Sequence, residues 1–116
     1  AGETLVLKGV NFESASAKLK TSSLAVLDGV AAQIKSSGVK IEVAGYTDAS
    51  GSPTVNRALS QRRAEMVMAY LVAKGVPAAN LVAKGYGSEK PIADNGTAAG
   101  KAQNRRVELL VTEAGK

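Results

Sequence analysis

The chain has 116 residues, with 15 Lys and Arg against 10 Asp and Glu, and it contains no Cys, His or Trp. The length predicts one domain, residues 1–116, and an apolar content of 45% is sufficient for a buried core. The missing residue types exclude a zinc finger, a cysteine nucleophile and a Ser-His-Asp triad, and we expect neither a metal site nor a cofactor.

Strands and helices are predicted to alternate along the chain. Helices are indicated by apolar residues three and four apart, and strands by polar–apolar alternation. A serine is expected to cap the first helix, and Ser52 the second, which has Pro53 at its first position and Gly75 just past its end. The predicted elements are a strand within residues 4–12, a helix from Ser22 or Ser23 to about Lys35, a strand over 40–44, a helix from Pro53 to about Lys74, a strand over 81–86, a helical turn around 98–102 and a strand over 106–111.

This order predicts an α/β (α+β) two-layer sandwich, in which helices pack on a mixed sheet. Residues 1–9 are expected to form a lead-in with the first strand, and residues 113–116 a tail. The longest strictly apolar run, over 67–73, is far too short to span a membrane. Since the chain opens on Ala1 and has no signal peptide, we expect a processed product or a domain of a longer protein.

The second helix carries polar residues on the side that should face the sheet. Its C-terminal half has an apolar stripe made of Ala64, Val67, Met68 and Leu71. Extended backward at 100° per residue, this stripe meets Asn56, Ser60 and Arg63, whereas Arg62 points to the opposite side. Burying such groups without partners is costly. Either Arg63 pairs internally with a carboxylate, for which Asp48 is the best candidate, or these side chains line a cleft.

The loop before this helix favours a ligand site. Thr47 and Asp48 lie between a strand end and a helix N-terminus, a common binding position in α/β sheets. The helix start offers free N–H groups and a positive dipole end, and Arg63 can grip a carboxylate. Asp48 supplies an acceptor for an ammonium. One negative and one positive group side by side predict a site for a zwitterion, such as the amino-acid end of a peptide.

Two other regions are candidates for the same site. Arg105 is expected on the face shared with core residues at the start of the last strand. It is either a second anchor for the ligand or a strand-end arginine whose stem covers the core edge. After the first strand, Asn11 and Phe12 are candidates for the cleft wall, together with Ser60, and Phe12 is alternatively a core residue.

A series of short motifs runs through nearly the whole chain, starting at about Val10. It consists of Ala44-Gly45-Tyr46-Thr47-Asp48, Gly51, Asn56, Leu59-Ser60, Arg63-Ala64, Val67, Gly75-Val76, Gly85-Tyr86-Gly87, Pro91, Asn95, Gly100 and Asn104-Arg105-Arg106-Val107-Glu108. Together these motifs resemble the signature of the OmpA-like C-terminal domain, which is shared with peptidoglycan-associated lipoprotein and the flagellar stator protein MotB. Departures from the family pattern are Tyr46 for a frequent His, Glu13 for Asp and Lys101 for Arg.

The resemblance implies a βαβαβ(α)β fold, with a mixed four-stranded sheet and two long helices on one face. It also implies a module that binds peptidoglycan noncovalently at the meso-diaminopimelate of the stem peptide, without catalysis. The family's loop aspartate takes the amino group and its helix arginine the carboxylate, roles that fall on Asp48 and Arg63. Supporting contacts fall on Thr47, Asn56 and Arg105.

The implied location is the periplasm, where the domain would anchor an outer-membrane or lipid-anchored protein to the cell wall as its C-terminal part. Membrane contact is then expected only through a segment outside this chain, and a dimer is left open. Two rival classes fit the sequence less well. An enzyme would need an acid, but Asp48 beside Arg63 should stay ionised. A nucleic-acid binder fits the net charge of +5 but lacks stacking aromatics, so no nucleic-acid partner is expected.

Overall fold

The computed structural model describes residues 4–7, 12 and 18–113. Strands and helices alternate in this part of the chain, and a short 3-10 turn over Ala78–Asn80 precedes the third strand. The elements are β1 (Thr4–Val6), α1 (Thr21–Ser37), β2 (Lys40–Tyr46), α2 (Pro53–Ala73), β3 (Leu81–Gly85), α3 (Ala98–Asn104) and β4 (Arg106–Glu113). The predicted mixed α/β fold is therefore confirmed.

The strands form one mixed sheet in the order β1-β4-β2-β3. β4 runs antiparallel to both β1 and β2, whereas β2 and β3 are parallel and are joined through α2. This connection is a βαβ unit, in which the helix must cross one face of the sheet. α2 therefore starts beside the end of β2, and the loop between them lies where the parallel strands β2 and β3 end.

One hydrophobic core lies between the helices and one face of the sheet. Alternate strand residues point into it, as the period of two requires. The apolar stripe of α2 meets them there, as the sequence predicts. The buried members of this core include Leu27, Ala31 and Ile34 of α1, Ala64, Val67 and Leu71 of α2, Ile41 and Val43 of β2, Leu81 of β3, and Val107 and Leu109 of β4.

Two glycines let α2 lie unusually close to the sheet. A Cβ placed on Gly45 would come within 2.4 Å of the Ser60 carbonyl oxygen, and one on Gly85 within 2.2 Å of the Gln61 nitrogen. Both contacts are with backbone atoms, which cannot rotate away. The N-terminal half of the helix is thus seated directly on β2 and β3.

The opposite face of the sheet is covered partly by aromatic and charged side chains. The rings of Tyr46 and Tyr86 stack with centroids 5.3 Å apart, and the Arg106 guanidinium carbon lies 3.9 Å from the Tyr46 centroid. Arg106 also donates from Nε to Glu108 (2.6 Å) and from Nη2 to the Lys90 carbonyl (2.7 Å). Tyr46 is thus a structural part of this stack.

Several predicted boundaries are corrected. The N-cap of α1 is Lys20, without a side-chain hydrogen bond, so the expected serine cap is wrong. Ser52 is the N-cap of α2 as predicted, although its side chain makes no capping bond. The helical turn around residues 98–102 is a helix to Asn104, capped by the Thr97 side chain. The predicted first strand over 4–12 is shorter at β1, and residues 8–11 of that prediction lie outside the described part.

Candidate functional site

The loop between β2 and α2 is tied down by its own polar groups. The Thr47 backbone N–H donates to the Gly87 carbonyl (2.7 Å), and the Thr47 hydroxyl donates to the carbonyl of Asp48 (2.8 Å). Both Thr47 and Asp48 are buried. The two loop residues selected from the sequence therefore have fixed positions at the C-terminal end of β2.

The carboxylate of Asp48 is held at both oxygens. Oδ1 accepts a hydrogen bond from the Ser50 backbone N–H (2.8 Å), and Oδ2 forms an ion pair with Arg105 Nη1. Burial by itself would raise the pKa of Asp48, but the hydrogen bonds from Ser50 and Arg105 outweigh it and hold the pKa below its ordinary value of 3.8. Asp48 is consequently an anion at neutral pH.

Arg63 is 7% exposed, and its guanidinium carbon lies 4.9 Å from the centroid of the Phe12 ring. Burial lowers the pKa of Arg63, the charge of Arg105 lowers it further, and the charge of Asp48 raises it. These opposed effects mean that the three groups act on one another. We refer to Asp48, Arg63 and Arg105 as the charge cluster, and its net charge is one positive unit.

Solvent reaches the charge cluster on the Arg105 side. The side chain of Arg105 is 45% exposed, against 12% for that of Asp48. Arg105 thus reaches the carboxylate of Asp48, the loop residue that the sequence points to as part of the site. Phe12 is half-buried, packs against the hydrophobic core and lies beside Arg63. Asn11, the other predicted wall residue, lies outside the described residues.

Asn56 links the loop to the helix. Its side-chain nitrogen donates to the Ser50 carbonyl (2.8 Å) and, at 3.5 Å, to the Asp48 carbonyl. The prediction that Asn56, Ser60 and Arg63 share the buried side of α2 is confirmed, since each is less than 10% exposed. In this structure the Asn56 amide shapes the backbone around Asp48.

The interpretation of Ser60 as part of the cleft wall is wrong. Ser60 is fully buried, and its hydroxyl donates to the Arg57 carbonyl (2.8 Å) and accepts from the Gly87 N–H (2.9 Å). The physical reason is the close approach of α2 at Gly45 and Gly85, which places the sheet over this turn of the helix. Among the polar residues on the sheet-facing side of α2, Ser60 is thus covered by the sheet, whereas Asn56 and Arg63 belong to the candidate site.

Two asparagines that support the site were not singled out as site residues by sequence analysis. The Ala49 N–H donates to Asn95 Oδ1 (3.3 Å), and Asn104 Nδ2 donates to the same oxygen (2.7 Å). Asn104 is fully buried and accepts at Oδ1 from the N–H groups of Ile92 (2.7 Å) and Ala93 (2.9 Å). Both asparagines lie in the motif series, which was the available signal, but only the fold shows that they brace the Asp48 loop.

The described residues provide neither a cluster of metal ligands nor a membrane span. In residues 4–7, 12 and 18–113, no group of three or more Asp or Glu side chains is arranged to hold a metal ion. Over the same ranges, each helix is too short or too polar to cross a bilayer.

Comparison with known proteins gives consistent similarities. The model of the OmpA family matches residues 11–105. The chain is 41% identical over 116 residues to the probable lipoprotein YiaD of Escherichia coli, covering 97% of this chain and 53% of that protein. It is 43% identical over 98 residues to the peptidoglycan-associated lipoprotein of Pseudomonas aeruginosa, covering 84% of this chain and 58% of that protein.

Among solved structures, the cell wall anchor of the type VI secretion system (T6SS) from Pseudomonas aeruginosa superposes with a TM-score of 0.82 at 31% identity. That match covers 97% of this chain and 80% of the other. The chain thus spans only about half the length of the two lipoproteins that it resembles.

Proposed function

The chain belongs to the OmpA family, and from that premise we propose that it binds the stem peptide of peptidoglycan at meso-diaminopimelate through the charge cluster. The observation that carries the proposal is the burial of both Arg63 and Asp48 in one charge cluster with Arg105, which forms an ion pair with Asp48. The end of a diaminopimelate side chain carries one ammonium and one carboxylate, and this pair of charges matches the two residues.

The charges of the site fit a zwitterion better than a simple anion or cation. Asp48 offers a carboxylate that can accept from an ammonium, and a charge-assisted hydrogen bond of this kind is stronger than a neutral one. Arg63 and Arg105 supply two guanidinium groups around it, so a ligand carboxylate meets a net positive cluster. A phosphate carries no ammonium and would leave Asp48 without a matching charge on the ligand.

The start of α2 adds a second source of positive potential. The N-terminal N–H groups of this 21-residue helix and its dipole favour a carboxylate nearby. Thr47 and Asn56 hold the loop that leads into the helix, and their proposed role is to keep Asp48 at a fixed position relative to these N–H groups. A ligand that spans the loop and Arg63 would then find both of its charges matched.

We assign the chain to the bacterial periplasm, as the C-terminal domain of an outer-membrane or lipid-anchored protein that it ties to the cell wall. Two of its relatives are named as lipoproteins, one of them peptidoglycan-associated, and a structural relative is named as a cell wall anchor. The role is binding without catalysis, because an aspartate whose pKa is lowered is a poor proton donor.

Co-sedimentation with purified sacculi of the meso-diaminopimelate type tests the proposal. The variants Asp48→Asn and Arg63→Met remove one charge each, the first at unchanged side-chain length and the second with an unbranched apolar side chain, and each should weaken binding at least about tenfold, because breaking a charged contact typically costs more than about 1.4 kcal/mol. Matched controls are Asp28→Asn and Arg62→Met, which change the same residue types at exposed positions.

The controls should sediment like the unmodified chain, and circular dichroism should show that all four variants are folded. Unchanged binding by both folded site variants would contradict the site. Release of soluble wall fragments by the unmodified chain would contradict a purely binding role.

A further inference from the structure

The strand β3 forms an outer edge of the sheet, because it is last in the order β1-β4-β2-β3. Its even-numbered positions direct their N–H and C=O groups toward β2, as shown just past its end by the Tyr86 N–H, which donates to the Gly45 carbonyl (2.9 Å). The odd-numbered residues Leu81, Ala83 and Gly85 therefore direct theirs outward. Such an edge is a template for pairing with another strand.

The side chain of Gln61 occupies this edge. Its Oε1 accepts from the Gly85 N–H (2.7 Å), and its Nε2 donates to the Ala83 carbonyl (3.0 Å). In a parallel ladder, one residue of a neighbouring strand bonds to the N–H and C=O groups of two residues that are two positions apart. The carboxamide of Gln61 thus makes the pair of hydrogen bonds that an added parallel strand would make opposite Lys84.

The orientation of this carboxamide is fixed by a third bond. Nε2 of Gln61 also donates to Glu65 Oε2 (3.1 Å), one turn further along α2. If the amide were flipped, its oxygen would face the Ala83 carbonyl and the Glu65 carboxylate, and its nitrogen would face the Gly85 N–H. Each of these contacts would be repulsive, so a single orientation satisfies all three partners.

Gln61 reaches the edge because Gly85 lets the helix approach. A Cβ at Gly85 would lie 2.2 Å from the Gln61 nitrogen and 2.6 Å from its Cα. At the other end of β3, the 3-10 turn serves a similar purpose, since the Leu81 N–H donates to the Ala78 carbonyl. Three outward groups of β3, the Leu81 N–H, the Ala83 carbonyl and the Gly85 N–H, are thus engaged by the chain itself.

We propose that Gln61 closes the outer edge of β3 with its carboxamide and prevents this edge from pairing with β3 of a second copy of this chain. A second copy is the natural partner, because two identical edges can pair antiparallel about a two-fold axis. Val82, in the middle of β3, is 62% exposed and would add apolar contact to such a pair. The proposal does not depend on the ligand of the charge cluster.

The test uses the full 116-residue chain with Gln61→Met, which keeps the length of the side chain and removes its hydrogen bonds. Gln33→Met, at an exposed position on α1, is the matched control. Hydrogen exchange measured by NMR at a concentration low enough to keep every variant monomeric should show the Gly85 amide exchanging about tenfold faster in Gln61→Met, a factor that corresponds to about 1.4 kcal/mol, within the usual net worth of one hydrogen bond. Sedimentation velocity should show stronger self-association of this variant than of the unmodified chain.

A second variant, Gln61→Asn, keeps the amide but is one methylene too short to reach both partners. It should therefore show the same faster exchange and stronger self-association, and it replaces Gln61→Met in the test if that variant does not fold. Adding Val82→Lys to either variant should reverse the self-association, because an exposed lysine on an edge strand opposes pairing. The proposal is overturned if the Gly85 amide exchanges at the same rate in all folded variants. It is equally overturned if exchange accelerates but self-association stays at the level of Gln33→Met.

Discussion

The close contact between Gly45 and α2 makes a quantitative prediction about stability. The substitution Gly45→Ala would place a Cβ 2.4 Å from the Ser60 carbonyl oxygen, whereas real Cβ contacts essentially never fall below 3.0 Å. The helix and the strand must therefore separate locally by about 0.6 Å or more. Neither atom can turn away, because Ser60 contributes its backbone and β2 is hydrogen-bonded on both sides, to β3 and β4.

Overpacking of this kind typically costs about 1–3 kcal/mol. For a domain of this size, 1 kcal/mol lowers the melting temperature by about 4 °C, so Gly45→Ala should lower it by about 4–12 °C. Because α2 also carries Arg63, the same displacement moves one member of the charge cluster away from Asp48. We expect the variant to bind peptidoglycan more weakly even at temperatures at which it is fully folded.

Thermal unfolding followed by circular dichroism is the assay, and Gly29→Ala is the control. Gly29 lies in α1, where a Cβ would have no atom within 4 Å, and it lacks a positive φ. The same substitution there should stabilise the helix by about 0.5–1 kcal/mol, since alanine is the better helix former. The reasoning is refuted if Gly45→Ala is as stable as the unmodified chain, or if both substitutions shift the melting temperature in the same direction.

Three further predictions concern other groups. Asn104→Ala should lower the free energy of unfolding by about 2–4 kcal/mol in urea titrations, because buried backbone groups lose their partners; the exposed Gln103→Ala should change it little, and equal effects would contradict the bracing role. Since the pKa of Asp48 is lowered from 3.8, its ionisation stabilises the fold above about pH 4, and this contribution is lost as the pH falls through the folded pKa. The difference in unfolding free energy between the unmodified chain and Asp48→Asn should therefore shrink below pH 4. A difference that stays constant with pH would contradict the lowered pKa. The hydrogen bond to Glu42 and burial raise the pKa of Tyr86 to about 12, so its neutral form stabilises the fold below pH 10 and loses that effect as the pH rises through about 12. Ultraviolet titration of Glu42→Ala should show the pKa of Tyr86 moving back toward 10. An unchanged pKa in this variant would refute the role of the hydrogen bond.

The sequence alone predicts which side of α2 is buried, because helical periodicity is a local property. Asn56, Ser60 and Arg63 fall on the inner side by their spacing, and the structure buries all three. Whether such a residue lines a site or is covered depends on the distance between helix and sheet. That distance is set by Gly45 and Gly85, which are remote in the sequence, so the covered position of Ser60 was not predictable from the periodicity of α2.

The partners of the site residues depend on sheet order, which periodicity does not specify. Arg105 meets Asp48 across 57 positions because β4 is placed beside β2. From the sequence, Arg105 is expected near the site, but an internal ion pair of Asp48 is considered only with Arg63, as one of two alternatives. The bracing of the Asp48 loop by Asn95 and Asn104 likewise requires the path of the connection between β3 and α3, which has no periodic signal.

Calorimetric titration with two soluble stem peptides tests whether the charge cluster recognises diaminopimelate. One carries meso-diaminopimelate and the other carries lysine, which has the ammonium but lacks the second carboxylate. We expect the unmodified chain to bind the first peptide at least about tenfold more tightly, the factor for about 1.4 kcal/mol, and Arg63→Met to lose this preference. Equal affinity of the unmodified chain for the two peptides would contradict carboxylate recognition by Arg63.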